Sequence, residues 1–417
     1  MTRRLTLALT FALTLGALAA CDASGPDAIP DPTPIALTPL AKDLVGQSNG
    51  FGVDLFAETA AEDDRTLMLS PLSASVALTM LLNGTDGETY DQIRALLGYD
   101  ADADLDAINA GYRSLTDQLL AADPKVELAL ANAVFTRQGV PFKAPFLNAM
   151  RDGFDARVDA LDFGAPSALS TINGWASENT NGRIPTVLSE LDPDLVMVLM
   201  NALYFKGDWT DQFEARQTGP ADFHLANGQT VQVPTMRDEI PARMASGERY
   251  VALELPYGRR NFSMVVFLPL GQESGTLADL AGVLRDGGWA DATAHLDAQT
   301  GWPETLVHLP KFSFSTDKLL NDQLQALGMT DAFSRDADLS RMSDDPRLLV
   351  SFVKQNTFVE VNEEGTEAAA VTTIGVTPTS AGSGPPAFIV DRSFVFAIRE
   401  RTTNTLLFIG QVADPRA

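Results

Sequence analysis

The chain has 417 residues, of which 45% are hydrophobic, so it can bury a large core and does not have the composition of a disordered protein. Thirty basic residues stand against 55 acidic ones, and the formal charge of −25 repels phosphate backbones. Because no cluster of Lys and Arg offsets this charge, the composition argues against nucleic acid as a partner.

The N-terminus has the pattern of a bacterial lipoprotein signal. Arg3 and Arg4 precede an apolar stretch, residues 5–20, that is too short and too often interrupted by Thr for a transmembrane span. The stretch ends in LAA directly before Cys21, the single cysteine of the chain. We therefore expect a signal peptide over residues 1–20, lipidation of the Cys21 thiol, a membrane as partner through that lipid, and a location in the bacterial cell envelope. An ordinary secretory signal with an incidental cysteine is the alternative.

A proline-rich segment, residues 21–37, follows the signal. Prolines at this density favour an extended tether over helix or sheet. No repeat and no second linker interrupts the chain before residue 378, which favours a single domain over residues 38–417. The lone cysteine excludes internal disulfides, so this domain depends on its hydrophobic core.

Helical patterns come first in the domain. The segments LAKDLVGQSNGFGVDLF, SPLSASVALTMLLNG, GETYDQIRALLG and DLDAINAGYRSLTDQLL each predict a helix, with Ser-Pro starting the second and Gly ending the second and third. Strand patterns follow in VELALANAVF, ARVDALDF and LVMVLMNALYF. The last is apolar at almost every position, which is typical of a central strand covered on both faces.

The second half of the chain consists mostly of short strand patterns. They are QTVQVPTM, YVALELPY, FSMVVFLPL, TLVHLPKFSF, SFVFAIRE and TLLFIGQV. One helix, TDKLLNDQLQALG, is predicted among them. Helices early and antiparallel strands late indicate an α+β fold and not a regular βαβ alternation.

The residues offer no coherent catalytic or metal site. The histidines His224, His295 and His308 lie in unrelated segments without ligand spacing, so we expect neither a metal ion nor a histidine base. Residues 46–50 (GQSNG) match the G-x-S-x-G pattern of hydrolases, but they lie in a predicted helix with no strand before it. No cofactor-binding fingerprint is present. The sequence therefore predicts a protein that is not an enzyme and needs no cofactor.

Residues 363–378 (EEGTEAAAVTTIGVTP) have the pattern of a strand placed before a flexible loop, TSAGSGPP. Gly365 permits a change of backbone direction. From Thr366 onward, alternate residues as far as 376 are uncharged and the first of them are small, which suits the buried face of a strand. Because no proline precedes Pro378, every amide of residues 366–377 can join a ladder.

This segment resembles the hinge and reactive loop of a serpin. The motif VEVNEEGTEAAA contains the hinge of that family, which falls on Glu363, Glu364, Gly365, Thr366, Glu367, Ala368, Ala369 and Ala370. Other motifs resemble the family in order along the chain, among them SPLS (70–73), NAVF, NALYFKG, LPY, LPKF and FIG.

The resemblance implies a fold of three β-sheets surrounded by about nine helices, and it implies inhibition of serine proteases. The reactive loop, about 363–386, would serve as bait. After cleavage and acylation it would insert into the central sheet as an extra strand and displace the protease. The expected partner is therefore a serine protease, held in a covalent acyl complex by a monomeric inhibitor. The alternative is a non-inhibitory serpin that binds another ligand.

The resemblance also assigns a sheet-opening region, which comprises Ser70, Ser73, Asn201, Trp209 and Gln355. Gln355 stands where most inhibitory relatives have a histidine. An amide both donates and accepts, so we expect contacts between Gln355 and the region of Ser70, Ser73 and Asn201 to be retained.

The reactive bond has two possible registers. Counting forward from the hinge glycine gives the bond Thr379-Ser380. Counting back from the proline pair at 385–386 gives Gly382-Ser383, because the loop is longer than is common in the family. The sequence alone leaves both open.

The residues around both bonds indicate the class of protease. All are small, and no Arg or Lys lies between Gly365 and Asp391. This favours an elastase-like or subtilisin-like protease over a trypsin-like one, whose pocket is acidic. The acidic stretch 100–124 argues against a heparin-like activator.

Overall fold

The computed structural model describes residues 32–192, 194–270, 276–366 and 385–416. Several predicted features lie outside the described residues. They are the signal peptide, Cys21, the hinge residues Glu367, Ala368, Ala369 and Ala370, and both candidate bonds, Thr379-Ser380 and Gly382-Ser383.

Nine α-helices occur in the described part of the chain. They are α1 (Pro39–Glu62), α2 (Pro71–Leu82), α3 (Gly87–Leu96), α4 (Leu105–Leu120), α5 (Ala144–Phe154), α6 (Pro166–Asn179), α7 (Leu277–Val283), α8 (Trp289–Asp297) and α9 (Asn321–Ala326). The side chains of Thr38, Ser70 and Asp104 accept hydrogen bonds from backbone amides at the starts of α1, α2 and α4. Helices α1 and α2 also carry proline in the first turn, where no amide donor is needed.

The strands of the described residues number sixteen. They are β1 (Leu67–Leu69), β2 (Val126–Arg137), β3 (Arg157–Leu161), β4 (Met197–Asp208), β5 (Gly219–His224), β6 (Thr230–Pro241), β7 (Arg243–Ser246), β8 (Tyr250–Tyr257), β9 (Phe262–Pro269), β10 (Glu304–Pro310), β11 (Phe312–Leu319), β12 (Lys354–Val361), β13 (Gly365–Thr366), β14 (Ala387–Ile389), β15 (Phe394–Glu400) and β16 (Thr405–Val412).

These strands form three sheets. Sheet A has the order β11-β12-β13-β4-β2-β3, sheet B the order β1-β16-β15-β9-β8-β7, and sheet C the order β14-β10-β6-β5. Every residue of β15 and β16 is buried, so sheet B lies at the centre of the molecule. Helix α2 is buried along almost its whole length and contacts both β16 and β4, which places it between sheets B and A.

The predicted α+β class with three sheets is confirmed, and the four early helices and most strands lie where the patterns predicted them. The predicted helix TDKLLNDQLQALG is wrong over its first half. Residues 316–319 continue β11, because their pairing with β12 takes precedence over helix propensity, and only Asn321–Ala326 is helical. Helices α5, α6, α7 and α8 were not predicted from the sequence.

The N-terminal end of the described chain lies against the domain. The compact unit begins at Pro32, within the proline-rich segment. The Asn261 side chain accepts a hydrogen bond from the amide of Thr33 at 3.3 Å and donates one to its carbonyl at 2.9 Å. The Thr402 hydroxyl accepts one from the amide of Ile35. Among the helices of the described ranges, none has the length and apolar character needed to cross a bilayer.

Candidate functional site

Sheet A is interrupted between β4 and β12. Strand β4 pairs with β2 along its outer edge and β12 pairs with β11 along its whole length. On the facing edges, the ladders found in the described ranges are those to the two-residue strand β13. We call the space between these facing edges the seam. Its lower part contains a partly open pocket of about 150 Å³, bounded by β4, β12, α2 and the chain that follows α6.

The hinge residues Gly365 and Thr366 already occupy the upper end of the seam. They pair antiparallel with Asp208 and Gly207 of β4, and Thr366 also pairs with Val361 of β12. A side chain at position 365 would collide with the Gly207 carbonyl oxygen and lie 2.6 Å from the Asp208 Cα. Glycine is therefore required here by the close approach of β4.

Thr366 is held from below by an aromatic pair. Its hydroxyl lies 2.6 Å from the Tyr257 hydroxyl, and the Thr366 residue is only 3% exposed. The Tyr257 ring stacks on Trp209 with ring centroids 4.4 Å apart. Burial raises the pKa of the Tyr257 phenol above its ordinary value although the Thr366 hydroxyl opposes this, so Tyr257 stays neutral and hydrogen-bonded.

The turn that leads into the hinge is fixed by backbone contacts. The Trp209 indole N–H donates to the Asn362 carbonyl at 2.9 Å, and the Trp209 amide donates to the Glu364 carbonyl at 2.8 Å. The Phe213 amide donates to the Glu363 carbonyl at 2.9 Å. The Asn362 side chain accepts from the Glu364 amide at 3.0 Å. The turn therefore rests on the segment that follows β4.

Glu363 forms an ion pair with Lys311 that joins the hinge turn to the start of β11. The Lys311 Nζ and a Glu363 carboxylate oxygen are 2.7 Å apart. Burial alone would raise the pKa of the Glu363 carboxyl, but the hydrogen bond from Lys311, together with further donors, outweighs it and lowers that pKa below its ordinary value.

At the lower end of the seam, Gln355 is bonded twice to the start of α2. Its Nε2 donates to the Ser70 carbonyl at 2.8 Å, and its Oε1 accepts from the Ser70 amide at 2.9 Å. The Ser70 hydroxyl accepts from the Ser73 amide and donates to the Leu407 carbonyl. Because the side-chain amide of Gln355 supplies both a donor and an acceptor, it bonds to both backbone groups of Ser70 and so joins β12 to the start of α2.

The structure brings together most of the predicted sheet-opening region. Ser73, Asn201 and Gln355 line the same pocket, although Asn201 donates to Asn132 of β2 and not to Gln355. Trp209 lies apart from this group, at the upper end of the seam against the hinge turn.

The hydrolase pattern at residues 46–50 has no catalytic geometry. Ser48 lies within α1, is 2% exposed and donates to the Ser75 hydroxyl at 2.9 Å. The histidines are equally separate: His224 is in β5, His295 in α8 and His308 in β10. Burial, with Arg237 nearby, lowers the pKa of His308. No cluster of three or more His, Cys, Asp or Glu suited to a metal ion occurs among the described residues.

The two ends of the predicted reactive loop lie in different sheets. On one side the described chain stops at Thr366 in sheet A. On the other it resumes at residue 385, and β14 pairs parallel with β10 in sheet C. Residues 367–384 therefore connect β13 in sheet A to β14 at the edge of sheet C.

The side chains that hold Thr366 and the turn before it in place were not predicted from the sequence. Tyr257 was noted only within the motif LPY, and Lys311 only within LPKF. Asn362 carries no signal of its own in the sequence. Their roles depend on bringing β8, β11 and the hinge turn together, which no local pattern encodes.

The comparisons with known proteins agree with this architecture. Residues 46–415 match the family model described as Serpin (serine protease inhibitor). The chain is 34% identical over 397 residues to the leukocyte elastase inhibitor of Xenopus laevis, covering 90% of this chain and 100% of that protein.

Solved structures with the same fold include a thermophilic serpin and a thyroxine-binding globulin. The thermophilic serpin tengpin in its native state has a TM-score of 0.80 and 28% identity, covering 92% of this chain and 97% of tengpin. Human thyroxine-binding globulin in complex with thyroxine has a TM-score of 0.80 and 28% identity, covering 91% of this chain and 100% of the globulin. From the family model and the relative at 34% identity, this chain belongs to the serpin family, which comprises non-enzymatic inhibitors.

Proposed function

We propose that this protein inhibits serine proteases as a suicide substrate, by inserting residues 366–377 into the seam of sheet A after cleavage. The observation that carries the proposal is β13, which pairs Thr366 with both β4 and β12. The first step of a strand between β4 and β12 is thus present in the uncut chain, and the described residues form no further ladder on the facing edges below it.

The sequence of the loop suits the position that it would fill. Thr366 lies on a buried face, and period-2 alternation would place residues 368, 370, 372, 374 and 376 on that same face. All five are uncharged in the sequence, so insertion would bury no ion. At roughly 1 kcal/mol net per hydrogen bond, a strand of this length would release on the order of 10 kcal/mol.

The direct test is a covalent complex. The purified protein is incubated with an elastase-like and a subtilisin-like protease, and the mixtures are run on a denaturing gel. We expect a band near the summed mass of the two proteins less the released C-terminal fragment 380–417, and its absence with every serine protease of a broad panel would contradict the proposal.

Substitutions at Thr366 test the insertion step. Thr366→Arg would place an unpaired ion in a buried position, which costs several kcal/mol and slows insertion by orders of magnitude. We expect the loop of this variant to be cleaved at a similar rate without a covalent complex. Thr366→Ser keeps the hydroxyl that faces Tyr257 and is the matched control, with complex formation retained.

We assign the cut to Thr379-Ser380, because the length between hinge and bond sets how far the strand can insert. Small residues throughout this stretch support an elastase-like or subtilisin-like target, as does similarity to a leukocyte elastase inhibitor. Mass spectrometry of the cleaved protein should place the new N-terminus at Ser380. A new N-terminus at Ser383 would move the assignment to Gly382-Ser383.

A second candidate function is supported by the similarity to thyroxine-binding globulin, a serpin solved with a bound small molecule. In that case the protein would be a non-inhibitory binding protein. Clean cleavage of the loop without any covalent complex, in the wild type as in Thr366→Arg, would favour this function.

We further propose that Cys21 is the lipidated N-terminus of the mature protein and anchors it to a membrane of the bacterial envelope. The support is the sequence LAA before the cysteine and the proline-rich segment after it. Cys21→Ser should release the protein from membranes in cell fractionation. If the variant stays in the membrane fraction to the same extent, the anchor assignment is wrong.

A further inference from the structure

The first described residues of the chain are bound to one end of sheet B. The Asn261 side chain accepts a hydrogen bond from the Thr33 amide at 3.3 Å and donates one to the Thr33 carbonyl at 2.9 Å. The Thr402 hydroxyl accepts one from the Ile35 amide at 3.0 Å. Ile35 and Leu37 also pack against the core with partly buried side chains. We call Asn261 and Thr402 the clamp.

Both residues of the clamp are themselves held in place. Asn261 is 1% exposed and directly precedes β9. Thr402 lies in the turn between β15 and β16, where the fully buried Glu400 carboxylate accepts hydrogen bonds from the amides and hydroxyls of Thr402 and Thr403 at 2.6–3.0 Å. Because the polar groups of this turn are already bonded to one another, the clamp is a rigid attachment point for the chain.

The clamp lies beside the hinge. Asn261 ends the turn that follows Tyr257, the residue whose hydroxyl contacts the hinge. In the same turn the Gly258 amide donates to the Asp208 carbonyl at 2.9 Å, and Asp208 pairs with Gly365. The chain therefore enters the domain at the same end at which a strand would enter the seam.

The length of chain before the clamp limits the distance between this end and an anchoring membrane. Residues 22–31 separate Cys21 from Pro32, and a chain of that length spans less than about 40 Å even when fully extended. A serine protease of about 250 residues has a diameter of roughly 45 Å. With a lipid on Cys21, a protease at the hinge end would therefore lie next to the bilayer.

We propose that the clamp turns the hinge end of the anchored protein toward the membrane, and that its partner is a serine protease that acts at the membrane surface. This inference rests on the proposed inhibition and the proposed anchor, and it deepens both. The formal charge of −25 opposes attraction to anionic lipids, so the lipid surface itself does not orient the domain. Without the clamp, the chain between Cys21 and α1 could span roughly 60 Å, and the domain could rotate.

Hydrogen exchange of the unanchored protein tests the clamp itself. The bonded amides of Thr33 and Ile35 should exchange slowly in wild type. In the double variant Asn261→Ala/Thr402→Val, exchange in residues 32–38 should be at least about tenfold faster. Thr33→Ala is the matched control, because only backbone groups of Thr33 bond to Asn261, and it should leave the exchange unchanged.

Energy transfer to labelled lipid tests the orientation. Residues 21–417, which contain the whole compact unit, are coupled through the single cysteine, Cys21, to a maleimide lipid in vesicles of phosphatidylethanolamine and phosphatidylglycerol. A donor dye is attached through an unnatural amino acid at the exposed Arg259, beside the clamp, or at the exposed Asp64, at the opposite end of sheet B. We expect more transfer from position 259 than from position 64 in wild type, and loss of this difference in the double variant.

The partner is tested on the same vesicles. A serine protease that the protein captures is used either free in solution or attached by a histidine tag to nickel-chelating lipid. We expect wild type to capture the attached protease roughly three- to tenfold faster than the double variant does, because the clamp keeps the hinge end near it. Without vesicles, both should capture the free protease at the same rate, which shows that the substitutions leave inhibition intact.

The outcomes separate this inference from the proposals on which it rests. Rapid exchange of both amides in wild type, or equal energy transfer from the two dye positions, would overturn the orienting role of the clamp. Equal capture of the attached protease by wild type and the double variant would overturn the membrane-surface partner, as would a Cys21→Ser variant that stays in the membrane fraction. Coupling in vitro makes the energy transfer independent of lipidation in cells. If the transfer follows the predicted order but no protease forms a covalent complex, the orienting role stands and inhibition is wrong.

Discussion

Sheets A and B each contain six strands, but they differ in how far their hydrogen bonding is completed. In sheet B, β15 pairs along its length with β16 on one side, with one register shift between Ile398 and Arg399, and with β9 on the other side from Val395 to Glu400. Both β15 and β16 are buried throughout. In sheet A, the described ladders on the facing edges of β4 and β12 are short and involve only β13.

The two sheets therefore differ in how their backbone hydrogen bonds contribute to the stability of the chain. Backbone groups in the central strands of sheet B are paired on both sides, so their contribution is the same before and after any change in the loop. Under the proposed function, groups along the seam gain partners when a strand enters, so their contribution changes with the loop. Substitutions in the two sheets should therefore have different signatures in cut and uncut protein.

Cleavage of the loop should produce the largest effect. If residues 366–377 fill the seam, the free energy of unfolding should rise on the order of 10 kcal/mol, since about a dozen hydrogen bonds form at roughly 1 kcal/mol each. Urea unfolding of cut and uncut protein measures the difference. Equal urea midpoints for the cut and uncut protein would contradict the idea that sheet A gains a strand on cleavage while sheet B stays the same.

A core truncation in sheet B should have the next largest effect, a loss of stability that is equal in the cut and uncut forms. Phe267 is fully buried in β9 and its ring packs against Tyr250 and Trp289. Phe267→Ala should lower the free energy of unfolding by about 3–5 kcal/mol. The same loss in free energy of unfolding should be found before and after cleavage. A loss confined to the uncut form would contradict the expectation that sheet B contributes equally to both forms.

Removal of the Gln355 amide should have an intermediate effect. Gln355→Ala leaves the Ser70 amide and carbonyl without their side-chain partner in a buried place. We expect a loss of about 2 kcal/mol in the stability of the uncut protein, as is typical of buried polar groups that lose a partner. Urea unfolding measures it, and Gln355→His is the informative second variant because an imidazole also offers a donor and an acceptor.

The smallest predicted effect concerns pH. The folded-state pKa of Glu363 is lowered, so its ion pair with Lys311 stabilises the protein above the ordinary carboxyl pKa of about 4.5, and that stability is lost as the pH falls through the folded-state value. Glu363→Gln should cost about 1 kcal/mol at pH 7, since Lys311 is 36% exposed to screening water. It should also weaken the loss of stability between pH 5 and pH 3. A variant as acid-sensitive as wild type would contradict this contribution.

The local patterns of the sequence were sufficient for the α+β class, for the four early helices and for most strands. Alternation and unbroken apolar runs are local properties, and β15 (FVFAIRE) and β16 (TLLFIGQV) could be recognised from them because most of their residues are apolar. The predicted hinge rests on the resemblance of the motif VEVNEEGTEAAA to the serpin family, and a sequence motif needs no neighbour in space to be recognised. The end of β11 was assigned wrongly, because its pairing with β12 is non-local and overrides helix propensity.

By itself, the sequence determined which segment could become a strand: it has amides free to donate, no charge on one face and no proline before Pro378. Only the tertiary structure decided where such a strand would go. The seam exists because β4 and β12, separated by about 150 residues in the chain, lie beside each other without a shared ladder. Tyr257 and Gln355 act through partners 109 and 285 residues away in the chain, and a contact between such remote segments is fixed by packing and not by any local pattern.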